Sequence, residues 1–318
     1  MTPPDYDWSI LYRGDLSSCN YDCSYCPFAK TRNTREELAH DARQLSRFVD
    51  WIASRSDKSM GILFTPWGEA AIRRPYQEAI ARLSHMPHVK RVAIQTNLSF
   101  NPAWLASCDL DTAALWTTFH PSQTTLDAFV DKAVALAKMG VRFSVGAVGL
   151  KEDLPAIEQL RQRLPPSVYL WVNAYKRVAD YYSEQDIEEI SAIDPLFRYN
   201  TRYHHSLNKP CKAGSTTFSV QGDGSLTRCH FIKDKIGSIY DDDIDDLLKP
   251  SLCTNEQCGC YIGYVHLEAL NLGSRYTHGL LERIPSGSVW VDEGEKNRAR
   301  EDVLRQMGPH LGTLKHRS

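Results

Sequence analysis

The sequence predicts an α/β protein with a parallel sheet, on two observations. Short apolar runs recur six times in the first 175 residues, and amphipathic stretches of helical spacing fall between them. The first run, "WSILYRG" (8–14), leads to "TREELAHDARQLSRFVDWIASR" (34–55), where Thr34 stands three residues before Glu37 as a capping box. "MGILFTP" (60–66), "RVAIQTN" (91–97) and "ALWTTFH" (114–120) read as the second to fourth strands. In "TLDAFVDKAVALAKMG" (125–140), Leu126, Phe129, Val130, Ala133, Val134 and Ala137 recur at helical spacing, Thr124 or Thr125 caps the start and Gly140 is a stop. "RFSVGAVGL" (142–150) and "VYLWVNAY" (168–175) complete six units, two short of a closed TIM barrel. In such folds the reactive groups sit at the C-terminal ends of the strands.

Composition narrows the class. The chain has 318 residues, 42% hydrophobic and 24% charged, with a formal net charge of −2. That balance offers no bulk attraction for nucleic acid or an anionic membrane. No apolar run reaches transmembrane length, and "MTPPDYDWSILYRG" lacks the pattern of a secretory signal, so a cytoplasmic protein is expected.

Nine cysteines are present, and eight fall in two groups: 19, 23 and 26, then 211, 229, 253, 258 and 260. Tight clustering in a long chain expected to be cytosolic favours metal over a disulfide framework. "LSSCNYDCSYCPF" (16–28) spaces its thiols C-x3-C-x2-C. A closed structural zinc site wants four ligands, and no histidine is near until His40. A four-iron cluster held by three thiolates leaves one iron open to a small molecule, which suits Cys19, Cys23 and Cys26 better.

That motif, with Tyr25 directly before its third cysteine, resembles the signature of radical S-adenosylmethionine (SAM) enzymes. The resemblance covers most of residues 8–267 and implies a partial (β/α)6 TIM-like barrel. It implies a [4Fe–4S] cluster whose open iron binds SAM. An electron delivered by a flavodoxin- or ferredoxin-type donor cleaves SAM to a 5′-deoxyadenosyl radical. Trp67-Gly68-Glu69 stands where the family has Gly-Gly-Glu, the motif that holds SAM's amino group, with Trp in place of the first Gly. The other strand ends offer Thr96 and Asn97, then His120, then Ser144 and Gly146 in "SVGAVG", then Asn173 and Tyr175. By resemblance the Gly-containing strand packs on adenine, and Ser144 meets the ribose hydroxyls.

The second thiol group has its own frame. "TFSVQ" and "SLTRC" read as strands joined by "GDG", a turn expected to need Gly and Asp for positive φ. That hairpin folds Cys211 back near Cys229, and "CTNEQCGCYIGY" supplies Cys253, Cys258 and Cys260. The spacing resembles the opening motif of the auxiliary iron–sulfur domains of SPASM and twitch enzymes. It implies one auxiliary cluster, of the [4Fe–4S] kind, in a small C-terminal domain of β-hairpin plus helix. Zinc fits the spacing too, and one thiol of 253, 258 and 260 is spare. The expected domains are 1–205, 206–284 and a tail, 285–318, that is mobile or packs over the barrel mouth.

Eighteen residues precede Cys19, with no leader-binding pattern there, so a peptide substrate would need a separate partner. A small hydroxylated or aminated molecule of sugar or aminocyclitol type is the expected substrate, oxidised or epimerised after loss of a carbon-bound hydrogen. Oxidation needs a base, for which His120, Tyr175 and His230 are candidates, and epimerisation needs a thiol. Cys108 reads as a buried small hydrophobe. "DDDIDDLLKP" (241–250), with five acids, reads as a solvated turn before a short helix. A peptide-modifying enzyme and a non-catalytic iron–sulfur or zinc-stabilised binding protein are the alternatives.

Overall fold

The computed structural model describes residues 6–28, 30–240, 243–287 and 289–309. Six parallel strands follow in chain order: β1 (Trp8–Tyr12), β2 (Met60–Phe64), β3 (Val89–Thr96), β4 (Ala113–Phe119), β5 (Arg142–Val148) and β6 (Leu170–Asn173). They match the six apolar runs to within a few residues at each end. Both faces are covered, so β1 and β2 are buried along their whole length and their sequences do not alternate.

Helices α1 (Arg35–Ser54), α2 (Arg74–Ser84), α3 (Leu126–Lys138), α4 (Leu154–Arg163) and α5 (Glu184–Ile193) pack on the outer face. The capping box forms: Glu37 N–H donates to Thr34 Oγ1, and Thr34 N–H donates to the Glu37 carboxylate. Leu45, Phe48, Val49 and Ile52 make the buried stripe of α1. The crossover from β3 to β4 departs from the expected pattern. It holds a 3₁₀ helix, Pro102–Ser107, because Asn101-Pro102 starts a tight turn too short for an α-helix. Buried Cys108 caps its end, as a small hydrophobe would.

Beyond β6 lie the short helix α6 (Phe197–Asn200) and two two-residue strands, β7 (His204–His205) and β8 (Pro210–Cys211). Next come β9 (Thr217–Val220), β10 (Ser225–Cys229) and β11 (Ile232–Ser238), then β12 (Ser251–Leu252) and β13 (Gln257–Cys258). Among the described residues the main sheet has nine strands, in the order β11-β10-β9-β1-β2-β3-β4-β5-β6. The hairpin β9–β10 continues the barrel sheet, because β9 pairs in parallel with β1, from Ser9↔Thr217 to Tyr12↔Val220. Its turn uses glycine at one point only. Gly224 has φ +88°, whereas Asp223 acts through its carboxylate, which accepts the Ser225 N–H at 2.7 Å.

The concave face is filled by the C-terminal segment. Leu11, Leu63, Ala93, Trp116 and Trp171 pack there against Tyr261, Tyr264, Leu280 and Leu281. Fully buried Glu282 pairs with Arg142 and lies 3.5 Å from Arg91, and the Arg283 guanidinium sits 4.4 Å from the centre of the Trp171 ring. The described part of the tail forms a helix, Glu293–Met307, that docks beside α5 and α6. There Arg300 bonds Glu188 at 2.7 Å, and the Tyr199 hydroxyl donates to Gln306 at 2.5 Å. Residues 310–318, and Asp241 and Asp242 of the acidic run, lie outside the described residues. Asp245 of that run is paired with Arg55 and Lys58.

Candidate active site between two thiol groups

The loop after β1 carries the first three thiols and is pinned at several points. Asp41 Oδ1 accepts the Asp15 and Leu16 N–H groups, and Asn33 Oδ1 accepts those of Ser17 and Ser18. The turn after β2 is zipped to the same loop: Gly68 N–H donates to the Leu16 carbonyl and Glu69 N–H to that of Ser18, each at 3.1 Å. A methyl group on Gly68 would overlap the Ser18 carbonyl, so this approach requires glycine.

Glu69 is 4% exposed. Its carboxylate accepts the Thr96 hydroxyl and the Asn97 N–H, both at 2.6 Å, and burial raises its pKa to about 7 despite these bonds. The Asn97 amide reaches Asn20 at 3.1 Å and lies 3.8 Å from Cys19 Sγ. Three residues read from two strand ends are therefore one network touching the cysteine loop. Cys19, Cys23 and Cys26 line a cavity of about 150 Å³ together with Gly68, Glu69 and Asn97. Burial pushes the Cys19 thiol up, and Cys23 up to about 11; metal ligation needs the thiolate and reverses that. Trp67 is 52% exposed and stacks on Phe28 at 5.7 Å, beside the enclosed guanidinium of Arg13.

The second group is assembled by strand pairing. β12 pairs with β8, setting Ser251 opposite Cys211, and β13 pairs with β7, setting Cys258 opposite His204. Arg228, the neighbour of Cys229, donates to the carbonyls of Ser251 and Leu252 at 2.5 and 2.7 Å, which ties the end of β10 to β12. Burial pushes the Cys258 thiol far up, followed by the neighbouring thiols of Cys229, Cys260, Cys211 and Cys253. Cys211, Cys253 and Cys258 are buried, Cys229 is half-buried and Cys260 is exposed. Among the described residues no three His, Cys, Asp or Glu side chains converge where one metal ion could sit; the thiolates of a multi-iron cluster need no single meeting point.

No family model matches the chain, and no curated protein does. Solved structures match in fold. A structure of anSMEcpe with bound AdoMet gives a TM-score of 0.53 at 14% identity, covering 94% of this chain and 96% of that one. A second anSMEcpe structure, with AdoMet and the Kp18Cys peptide, gives 0.53 at 14% identity over 77% of this chain and 81% of that one. A structure of BtrN with AdoMet and 2-DOIA matches more loosely, at 0.36 and 15% identity over 76% of this chain and 82% of that one. The anSMEcpe structures are radical SAM proteins. The chain has the radical SAM fold.

Three thiols on one loop face a cavity floored by a required glycine and an enclosed carboxylate. A larger cavity of about 530 Å³ adjoins it, and Cys26, Phe28 and His120 line both. Its other walls include Tyr25, Asn173 and Tyr175 on the barrel side, with Cys258 and Cys260 opposite.

Four expected site residues are engaged otherwise. Ser144 is fully buried, its hydroxyl donating to the Glu282 carbonyl at 2.6 Å and accepting the Trp171 indole N–H at 3.0 Å. Gly146 faces the Trp171 ring, which a methyl group there would overlap; neither residue lines either of the two cavities. His120 Nδ1 lies 2.6 Å from the Tyr25 hydroxyl, and burial pushes its pKa down to about 4, so it is a weak base at neutral pH that positions Tyr25. His230 lines neither cavity, Phe231 lining the larger one, and its Nδ1 has no hydrogen-bond partner among the described residues.

Two cationic residues of the larger cavity, Lys176 and Arg177, were not expected from the sequence. They directly follow Tyr175, so the strand-end rule that selected Asn173 and Tyr175 reaches them too. The Lys176 ammonium donates to the Asn200 carbonyl at 2.5 Å and to its side-chain oxygen at 3.2 Å.

Proposed function

We propose that the chain is a radical SAM enzyme in which Cys19, Cys23 and Cys26 hold a four-iron cluster and SAM binds beside Gly68, Glu69, Thr96 and Asn97. The cluster and SAM, when bound, supply a 5′-deoxyadenosyl radical that removes a carbon-bound hydrogen from a small polar substrate. The observation that carries this reading is that Cys26 borders both cavities, so the thiol loop adjoins the Glu69 network and the larger chamber alike. Tyr25, held by His120, walls that chamber, and the enclosed Glu69 carboxylate stands ready for a cationic group. A flavodoxin- or ferredoxin-type protein supplies the electron.

Cys211, Cys229, Cys253 and Cys258 hold the auxiliary group, iron–sulfur in this reading and zinc in its rival. Their burial and the β8–β12 and β7–β13 pairings support the set. Cys260 is then the spare thiol, exposed in the larger chamber. That position favours return of a hydrogen atom to the substrate carbon, and so epimerisation, over the oxidation that an auxiliary cluster alone supports. A peptide, as in the peptide-bound anSMEcpe structure, is the competing substrate class.

The test is anaerobic iron and sulfide content, with 5′-deoxyadenosine formation from SAM, for wild type and a Cys19/Cys23/Cys26→Ala triple variant. About eight irons in wild type and about four in the variant support two four-iron clusters. A variant that still forms 5′-deoxyadenosine overturns the assignment of the first loop. In deuterated water, epimerisation adds solvent deuterium to the product carbon and oxidation does not.

A further inference from the structure

We infer that the substrate carries an anionic group, a carboxylate or a phosphate, which Lys176 and Arg177 receive. This rests on the larger chamber being the substrate's. Among the described residues, two cations line that chamber, and no Asp or Glu does. The sequence alone left a hydroxylated or an aminated substrate open; an ammonium group would enter here against like charge.

Lys176 is the stronger half of the argument. Its ammonium is held in place by two neutral oxygens of Asn200, and among the described residues no carboxylate lies within ion-pair distance of it. A half-buried cation without a counter-ion is costly, and desolvation lowers its pKa to about 8. An arriving oxyanion removes that cost and takes a charge-assisted hydrogen bond from the fixed ammonium. Arg177 stands exposed next to it, and the amides of Asn173, Asn255 and Gln257 on the same walls are neutral donors suited to the remaining oxygens. Arg13, directly after β1, is also enclosed, bonds Thr65, has no acidic partner among the described residues and adds to the positive field. The competing role for Lys176 is to offset charge on the thiolates of Cys258 and Cys260.

The experiment uses the reconstituted full chain with SAM bound, so that SAM's own carboxylate is not the ligand measured. Inorganic phosphate and acetate are titrated separately by calorimetry into wild type, Lys176→Met, Lys176→Arg and Arg177→Gln. The expected result is saturable binding of at least one anion to wild type. Lys176→Met weakens it by roughly tenfold to a hundredfold, and Lys176→Arg restores most of the loss. Phosphate alone points to a phosphorylated substrate and acetate alone to a carboxylated one. Failure of both anions to bind wild type saturably overturns the inference. So does equal binding by Lys176→Met, which leaves only the charge-offsetting role. Should Lys176→Met lose its iron, Arg177→Gln decides: weaker binding supports the inference and unchanged binding overturns it. Iron content and 5′-deoxyadenosine formation report on the radical SAM reading itself, so its failure is separately visible.

Discussion

Gly68→Ala tests whether the turn after β2 and the cysteine loop are packed as closely as described. The added methyl overlaps the Ser18 carbonyl, a backbone atom that cannot rotate away. Overpacking of this kind costs about 1–3 kcal/mol. Relief requires the loops to part, which loosens the Gly68–Leu16 and Glu69–Ser18 hydrogen bonds, each contributing about 1 kcal/mol net. A total near 3 kcal/mol corresponds to a fall in Tm of roughly 4–5 °C for a chain of 318 residues. The same displacement moves Ser18, the neighbour of Cys19, so iron retention by the first loop falls as well. Thermal unfolding of the metal-free protein and iron content of the reconstituted protein are the assays. A variant that melts within about 2 °C of wild type and keeps its full iron refutes the close packing.

Other expectations concern charge and the second thiol group. Burial raises the Glu69 pKa from 4.5 to about 7, so folding takes up a proton between those values and stability falls as pH rises through that window. The total is about 3 kcal/mol, to be read from urea midpoints of the metal-free protein at about pH 5 and about pH 7.5. Glu69→Gln should flatten the slope, and an unchanged slope assigns it elsewhere. Cys258→Ser should lose about four irons per chain while Cys260→Ser loses none, by iron analysis; the reverse pattern exchanges their roles. Arg228→Met removes the tie between β10 and β12, and should reduce auxiliary-site iron and leave the first loop's iron in place, by comparison with the triple cysteine variant.

The strands and the first cysteine loop were legible because their signals are local: apolar runs, a capping box, three thiols within eight residues. Glu69, Thr96 and Asn97 were singled out by position at strand ends, and their meeting follows from neighbouring strands in one sheet. Ser144 and Gly146 were expected to meet SAM's ribose and adenine, and in the structure Ser144 meets Glu282 and Gly146 faces Trp171. Glu282 arrives 138 residues after Ser144, and no local pattern announces the contact. The sorting of Cys253, Cys258 and Cys260 depends on two-residue strands pairing across about fifty residues, which spacing alone leaves open. Lys176 was overlooked for a different reason. Its cation follows the polar strand end by a single residue, and only the enclosure formed by Asn200 and the Cys258–Cys260 loop gives it significance.

The pairing of β1 with β9 sets an order of events during synthesis. β1 is complete by residue 12, yet the strand that covers its outer edge ends at residue 220. At about 5–20 residues per second, a growing chain exposes that edge for roughly 10–40 s. During that interval an uncovered, apolar strand edge is a template for pairing with another chain. The cysteine loop hangs from the end of this same strand, so the interval in which it is easiest to reach is also the one in which the chain is most prone to associate wrongly.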